Sequence, residues 1–241
     1  MRLPPASNRR IGQAMHDHSM LADGDHVLIA VSGGVDSLVL SHVLKIWQAK
    51  APISLQIEAI HLDMGLAPGL GEQVARQLAA TGVNHGVIKS DVGPEILTQD
   101  GDVCFHCARQ RRRQLFELAR ARGCNKLALG HHKEDIIETF FLNLFYGGNI
   151  STMLPSQPLF NGGLTIIRPL AYLAKKDILA LANLFGVEPV ANPCPQAENS
   201  KRMAVRAKLS ELYGEEPELK SNIFAALANV RPDYLPHKTR N

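Results

Sequence analysis

The sequence predicts an α/β fold, a doubly wound and mostly parallel sheet with a helical C-terminal extension. Three observations carry that expectation. Short apolar, β-branched runs alternate with segments of helical periodicity through most of the 241 residues. A glycine turn follows the first apolar run and opens a helix. Past Cys194 the signals are helical only. The expected division is an N-terminal helical segment over 1–24, an α/β domain over 25–190, and a helical extension over 191–241.

Taken in order, His26–Val31 (HVLIAV) has the buried-strand pattern, and 37–49 has apolar residues at helical spacing. A second strand is predicted over 55–62, a helix over 72–80 closed by Thr81-Gly82, and a weak third strand over 85–89. A long helix over 105–122 stops at Gly123. A strand over 126–130 and a helix over 133–145 follow. Leu164–Ile167 is a fifth strand candidate, and Lys175–Phe185 is a helix with Gly186 in the C′ position. The last helices fall at about 200–213 and 218–230. The stretch 90–103 has linker composition, and 146–161, edged by glycine pairs, has that of a mobile lid.

Composition narrows the class. Hydrophobic residues make up 45% and charged residues 20%, so the chain has material for a core and is not of the disordered type. The longest uncharged stretch, 139–167, contains Pro155 and Pro158 and does not form a membrane helix. The start, MRLPPASNRR, lacks the apolar region of a secretory signal, so a cytoplasmic, reducing location is expected. There, closely spaced cysteines bind metal or do redox chemistry more often than they form disulfides. Net charge is only +3, but Arg109, Arg111, Arg112, Arg113, Arg120 and Arg122 crowd one segment, and Lys201, Arg202, Arg206 and Lys208 another. Such runs are solvated helix faces or, beside a site, surfaces that attract a polyanion.

The segment Ser32-Gly33-Gly34-Val35-Asp36-Ser37 lies between a strand and a helix. Two adjacent glycines let the backbone approach a ligand, and successive N–H groups with a helix N-terminus make an anion nest. Ser32 and Ser37 offer hydroxyls to phosphate oxygens, and Asp36 beside a phosphate points to an intervening Mg²⁺. Neither the Walker A pattern nor GxGxxG is present. Asp135 falls in the first turn of a helix at a strand end, where it could bind Mg²⁺ or act on the reacting group.

Cys104 and Cys107 form a CxxC at a helix start, where the helix dipole favours thiolates. Cys194 sits in the rigid Asn192-Pro193-Cys194-Pro195 loop, and Cys124 reads as a small core residue. Three thiolates are awkward for structural zinc unless His106 completes the set, CxxC alone is compatible with a thiol–disulfide pair, and three thiolates suit a [4Fe–4S] cluster with one iron left open.

The SGGxDS string resembles the PP-loop of ATP pyrophosphatases, which cleave ATP between the α and β phosphates. Ala59-Ile60-His61-Leu62-Asp63 matches the strand end where those enzymes seat adenine. Gly130-His131-His132-Lys133-Glu134-Asp135 resembles their GHxxDD segment. The order PP-loop, CxxC, GHHxxD, YGG, IRPL and a distant Cys is similar to the tRNA 2-thiocytidine synthetase (TtcA) family over nearly the whole chain. The resemblance implies ATP, Mg²⁺ and tRNA, with a [4Fe–4S] cluster on three cysteines that match Cys104, Cys107 and Cys194. Two departures stand out: Val35 occupies a position where that family commonly has lysine, and Ala191 one where it often has a second cysteine.

The expected reaction is adenylation of a pyrimidine 2-oxygen, most simply of a cytidine in the anticodon loop, followed by displacement of AMP by sulfur. Nucleotide contacts fall to Ser32, Gly33, Gly34, Asp36, Ser37, His61, Asp63, Gly130 and His131. Asp36, Arg111 and Asp135 take catalytic roles, Arg111 reaching back from the first helical turns. Arg112 and Arg113 point to the tRNA backbone. A cysteine desulfurase is the expected sulfur donor and a homodimer an open option. Three other readings stay open: a zinc-containing PP-loop ligase of lysidine or amide-forming type, a 2-thiouridine-forming relative, and a nucleotide-binding redox regulator.

Overall fold

The structure, a computed structural model, describes residues 2–90, 92–93, 103–191, 194, 200–216 and 218–236, with the side chain of Cys104 outside that description. Six strands form one sheet: β1 (His26–Val31), β2 (Gln56–Asp63), β3 (Asn84–Lys89), β4 (Lys126–Ala128), β5 (Ser156–Leu159) and β6 (Leu164–Ile167). Their spatial order is β3-β2-β1-β4-β6-β5. All pairings are parallel except β5 with β6. The helices are α1 (Pro5–Asp17), α2 (Val35–Gln48), α3 (Leu70–Ala79), α4 (Val103–Ala121), α5 (Lys133–Tyr146), α6 (Lys175–Phe185), α7 (Lys201–Glu215) and α8 (Leu219–Ala226).

β1 and β6 are apolar almost throughout because helices cover both faces of the sheet there. Alternate residues of β1 go to opposite cores. Val27, Ile29 and Val31 pack with α1, α2, α3 and α6. Leu28 packs with Leu115 and Ala119 of α4, Leu127 of β4 and Ile166 of β6. The N-terminal segment joins the first of these cores: Ile11, Ala14 and Met15 of α1 are buried, and Arg10 pairs with Asp177 at 2.7 Å.

One expectation changes. The lid-like segment 146–161 contains β5, whose residues Ser156 to Leu159 pair antiparallel with Ile167 to Leu164. Its second half is therefore sheet edge, tolerating Pro158 because an edge strand needs hydrogen bonds on one side only. The linker-like 90–103 lies mostly outside the described residues.

The reversal of strand order places β1 between β2 and β4, so the chain leaves β1 and β4 toward opposite sides. Parallel sheets bind ligands at such a point, outside the carboxyl ends of the strands. The glycine turn after β1 and the Gly130-His131-His132 turn after β4 meet there.

Candidate active site

The turn after β1 is shaped by its own side chains. Gly33 has φ +89°, and a Cβ there would lie 2.9 Å from Val74 Cγ2, so glycine is required. Ser37 Oγ donates to the Gly34 carbonyl at 2.9 Å and accepts from Ser32 N–H at 3.2 Å. Gly34 is the N-cap of α2, so the next N–H groups lack intrahelical acceptors, and with the helix dipole they form a cradle for an anion. Gly130 comes against this cradle: a Cβ on it would lie 2.9 Å from the backbone of Asp36 and Ser37. The β1 and β4 turns thus touch through a residue that has to be glycine.

A cavity of about 1010 Å³ opens over these turns. Ser32, Gly34, Asp36, Ser37, His61, Arg111, Gly130, His131 and Asp135 all line it. Two other expected contacts do something else. The Gly33 carbonyl accepts Val190 N–H at 3.0 Å, and Asp63 Oδ1 accepts Gly65 N–H at 3.0 Å in the turn after β2.

The walls carry a definite charge pattern. Asp36 Oδ1 is held at 2.5 Å by Lys175 Nζ, from the start of α6. Lys175 N–H in turn donates to Glu134 Oε2 at 3.0 Å. Neither lysine nor its partner helix was suggested by the loop motif, and the pair is 139 residues apart in sequence. Lys175 thus sets a cation against Asp36 beside the loop.

Arg168 Nε donates to His131 Nδ1 at 3.2 Å, and Arg168 also donates to the Leu154 carbonyl. Burial first, then the Arg168 charge, push the His131 pKa below its ordinary value, so the ring is neutral with its proton on Nε2. Burial and the neighbouring Arg112 likewise bring Arg168 down to about 10. His132 behaves oppositely. Burial opposes its charge, but a hydrogen bond to Glu134 at 3.1 Å and the carboxylates of Asp135, Asp36 and Glu134 raise its pKa. Glu134, though buried, is held down at about 2 by His132 and by Lys220 at 2.9 Å. Asp135 Oδ2 accepts His132 N–H at 2.9 Å, capping α5, while Oδ1 faces Arg202 at 3.6 Å. One carboxylate therefore both ends the helix and borders the cavity.

The C-terminal helices are latched to this site from outside. Arg206 of α7 makes a two-pronged pair with buried Glu138 of α5, at 2.7 and 3.0 Å. Arg202 donates to Thr139 Oγ1 at 3.2 Å. The second basic run is thus split. Arg206 serves the fold, Arg202 both pairs with α5 and lines the cavity, and Lys201 lies over the Tyr146 ring at 5.2 Å.

Two atoms in the wall are conspicuous. His61 Nδ1 donates to the Val31 carbonyl at 2.8 Å, which leaves Nε2 a buried acceptor with no hydrogen-bond partner among the described residues. Arg111 Nε is also buried without one. Such groups are rare inside folded proteins and mark where a ligand's polar atoms belong. Arg111 Nη2 lies 4.0 Å from Cys107 Sγ. Ala108, next to Cys107, and Ala191, three residues before Cys194, both line the cavity, and both cysteines are half-buried. Cys104 lies in α4, but its side chain is outside the description, as are Asn192, Pro193 and 195–199. Cys124 is buried as expected of a core residue.

This donor set fits an adenine nucleotide. The cradle takes phosphates, and the His61 acceptor suits a donor such as adenine's amino group. Cys107, 4.0 Å from Arg111, offers a soft thiol of the kind that ligates an iron–sulfur group.

A family model described as a PP-loop domain matches residues 3–212. A tRNA-cytidine(32) 2-sulfurtransferase of Ralstonia pickettii is 38% identical over 240 residues, covering 97% of this chain and 76% of that protein. Its counterpart in Deinococcus radiodurans is 40% identical over 233 residues, covering 94% and 77%. Among solved structures, the U34-tRNA thiolase NcsA from Methanococcus maripaludis, with its [4Fe-4S] cluster, matches with a TM-score of 0.76 at 21% identity, over 93% of this chain and 77% of that one. An NH3-dependent NAD synthetase from Campylobacter jejuni matches with a TM-score of 0.54 at 16% identity, over the full length of both. At these identities the two structures speak for the fold.

Proposed function

The chain belongs to the PP-loop domain family and, within it, to the tRNA-cytidine(32) 2-sulfurtransferases, and from that premise we propose that it exchanges the 2-oxygen of a tRNA cytidine for sulfur at the expense of ATP. The cradle of 32–37 holds the phosphates through backbone N–H groups at the start of α2 and the Ser32 hydroxyl, with Ser37 turning its hydroxyl from the Gly34 carbonyl to a phosphate oxygen on binding. The cytidine 2-oxygen attacks the α-phosphorus, and the bond to pyrophosphate breaks. Sulfur then attacks C2, and the C2–O bond breaks as AMP leaves with the former base oxygen.

Lys175 moves from Asp36 to the phosphates as the charge there grows, which frees Asp36. Mg²⁺ on Asp36 would neutralise the departing pyrophosphate. A [4Fe–4S] cluster held by Cys104, Cys107 and Cys194 would supply, at its open iron, the sulfur nucleophile. Arg111 faces both events, its guanidinium balancing negative charge on the phosphate side and its Nη2 directed at the thiol side. Neutral His131, fixed by Arg168, offers an Nε2–H donor rather than a charge. A base in an anticodon loop reaches the cavity by being splayed out, which costs little in a single strand. The cytoplasm, where tRNA and reduced thiols coexist, is the compartment this reaction requires, with a cysteine desulfurase as the sulfur source and a thiol reductant supplying the two electrons that bring its persulfide sulfur to the sulfide level.

The observation that carries this reading is the position of Arg111, in the wall of the nucleotide cavity and 4.0 Å from Cys107 Sγ. The test is incubation of anaerobically purified protein with tRNA, ATP, Mg²⁺ and sulfide, followed by nucleoside mass spectrometry. 2-Thiocytidine, with one AMP and one pyrophosphate per sulfur, is expected from brown protein. Colourless zinc protein that consumes ATP and leaves tRNA free of sulfur would support a ligase, and 2-thiouridine would move the target base.

A further inference from the structure

Outside the nucleotide cavity, the turn joining β5 to β6 presents an aromatic ring to solvent. Phe160 is 67% exposed. Its φ is +52°, and that of Asn161 is +55°. Two successive non-glycine residues in the left-handed region cost conformational energy, and such strain persists where a fold holds a side chain in place. Phe116 of α4 supports the ring edge-on, at 5.5 Å between centroids and 85° between planes. Together they border a pocket of about 330 Å³ whose other walls are Arg109, Arg112, Arg113 and Glu117. Arg113 is paired with Glu117 at 2.9 Å. Arg112 and Phe116 also line the nucleotide cavity, so the pocket is its next-door neighbour.

From this juxtaposition we infer that Phe160 is a stacking platform for an unpaired base of the tRNA, next to the nucleotide being modified, with Arg109 and Arg112 holding the phosphates on either side. The inference rests on the sulfurtransferase reading and adds the second nucleotide-binding position of that site. The chemistry favours RNA over a protein partner. An exposed ring bordered by Arg109, Arg112 and Arg113 offers a base its π-face and a polyanion its counter-charges, whereas the centre of a protein interface is depleted of charged residues. Adjacency to the cavity supplies the geometry: a loop that inserts one base there carries its neighbour across Arg112.

The test measures binding of a substrate tRNA at several salt concentrations for wild type, Phe160→Ala, Phe160→Trp and Arg109→Ala. Truncation of Phe160 should weaken binding about tenfold, the scale of one lost base–aromatic stack, and leave the salt slope unchanged. Tryptophan should restore affinity. Arg109→Ala should lower the salt slope by about one. An anticodon stem-loop carrying 2-aminopurine beside the target cytidine should be quenched by wild type and not by Phe160→Ala. ATP affinity of Phe160→Ala should match wild type, since the exposed ring lies outside the core and the nucleotide cavity. Equal tRNA affinity for wild type and Phe160→Ala overturns the platform. So does normal tRNA binding with loss only of sulfur received from a donor protein, which would make the ring a protein contact. Failure of the wild type itself to bind or thiolate tRNA would instead bring down the sulfurtransferase reading.

Discussion

The two ends of the parallel sheet hold the same kinds of side chain and use them in opposite ways. At the amino end, Glu58 accepts from Arg122 Nη1 at 2.6 Å and from Cys124 Sγ at 3.4 Å, and His26 Nε2 lies 3.4 Å from it. Burial and the Glu58 carboxylate push the Cys124 thiol up to about 12. Among the described residues this is the one trio of ligand-type side chains within 4.8 Å of one another, yet Arg122 already occupies the carboxylate. At the carboxyl end, Cys107 sits beside Arg111, and His61 Nε2 and Arg111 Nε are buried with no hydrogen-bond partner among the described residues. A polar cluster that satisfies itself holds strands together; one that leaves donors and acceptors over holds a ligand.

The comparison can be broken most forcefully at Asp36. Asp36→Ala should lower AMP-forming turnover by about a thousandfold, as removal of a charge-stabilising group does; unaltered pyrophosphate release would take Asp36 out of the site. Lys175→Ala should weaken binding of a non-hydrolysable ATP analogue about tenfold, the scale of one charge-assisted hydrogen bond, read by titration calorimetry. Unchanged affinity would make the Lys175–Asp36 pair purely structural. Cys124→Ala should cost about 1 kcal/mol of unfolding free energy and leave metal content untouched. A loss of bound metal would turn the amino-end trio into a real ligand set.

The smallest effect is a pH slope. His131 is depressed from 6.5, so below that pH the unfolded chain takes a proton that the folded chain refuses, and stability falls on acidification. Glu134, held at about 2, adds stability above its ordinary 4.5 that is lost as pH drops from there toward 2. His131→Asn should flatten the upper part of that slope in denaturant titrations.

Much of this was legible in residue order, and what was hidden has physical causes. The runs HVLIAV and LTII give away β1 and β6 because strands buried on both faces are apolar throughout. β5, Ser-Gln-Pro-Leu, is a strand only because β6 lends it a partner. The loop glycines and Asp36 announce a phosphate site, since such chemistry needs contiguous backbone. Lys175 arrives from a later helix and leaves no local trace. Arg202 and Arg206 read as surface charge, but Glu138 and Asp135 were needed to see them as a latch.

The claim at the centre is that nucleotide activation and sulfur delivery share one cavity, joined through Arg111 and Cys107. It is tested most directly by Cys107→Ala, reconstituted anaerobically and assayed with tRNA for both pyrophosphate release and 2-thiocytidine. The account predicts that ATP-dependent pyrophosphate release with tRNA survives while 2-thiocytidine disappears; retention of 2-thiocytidine at the wild-type level would contradict it.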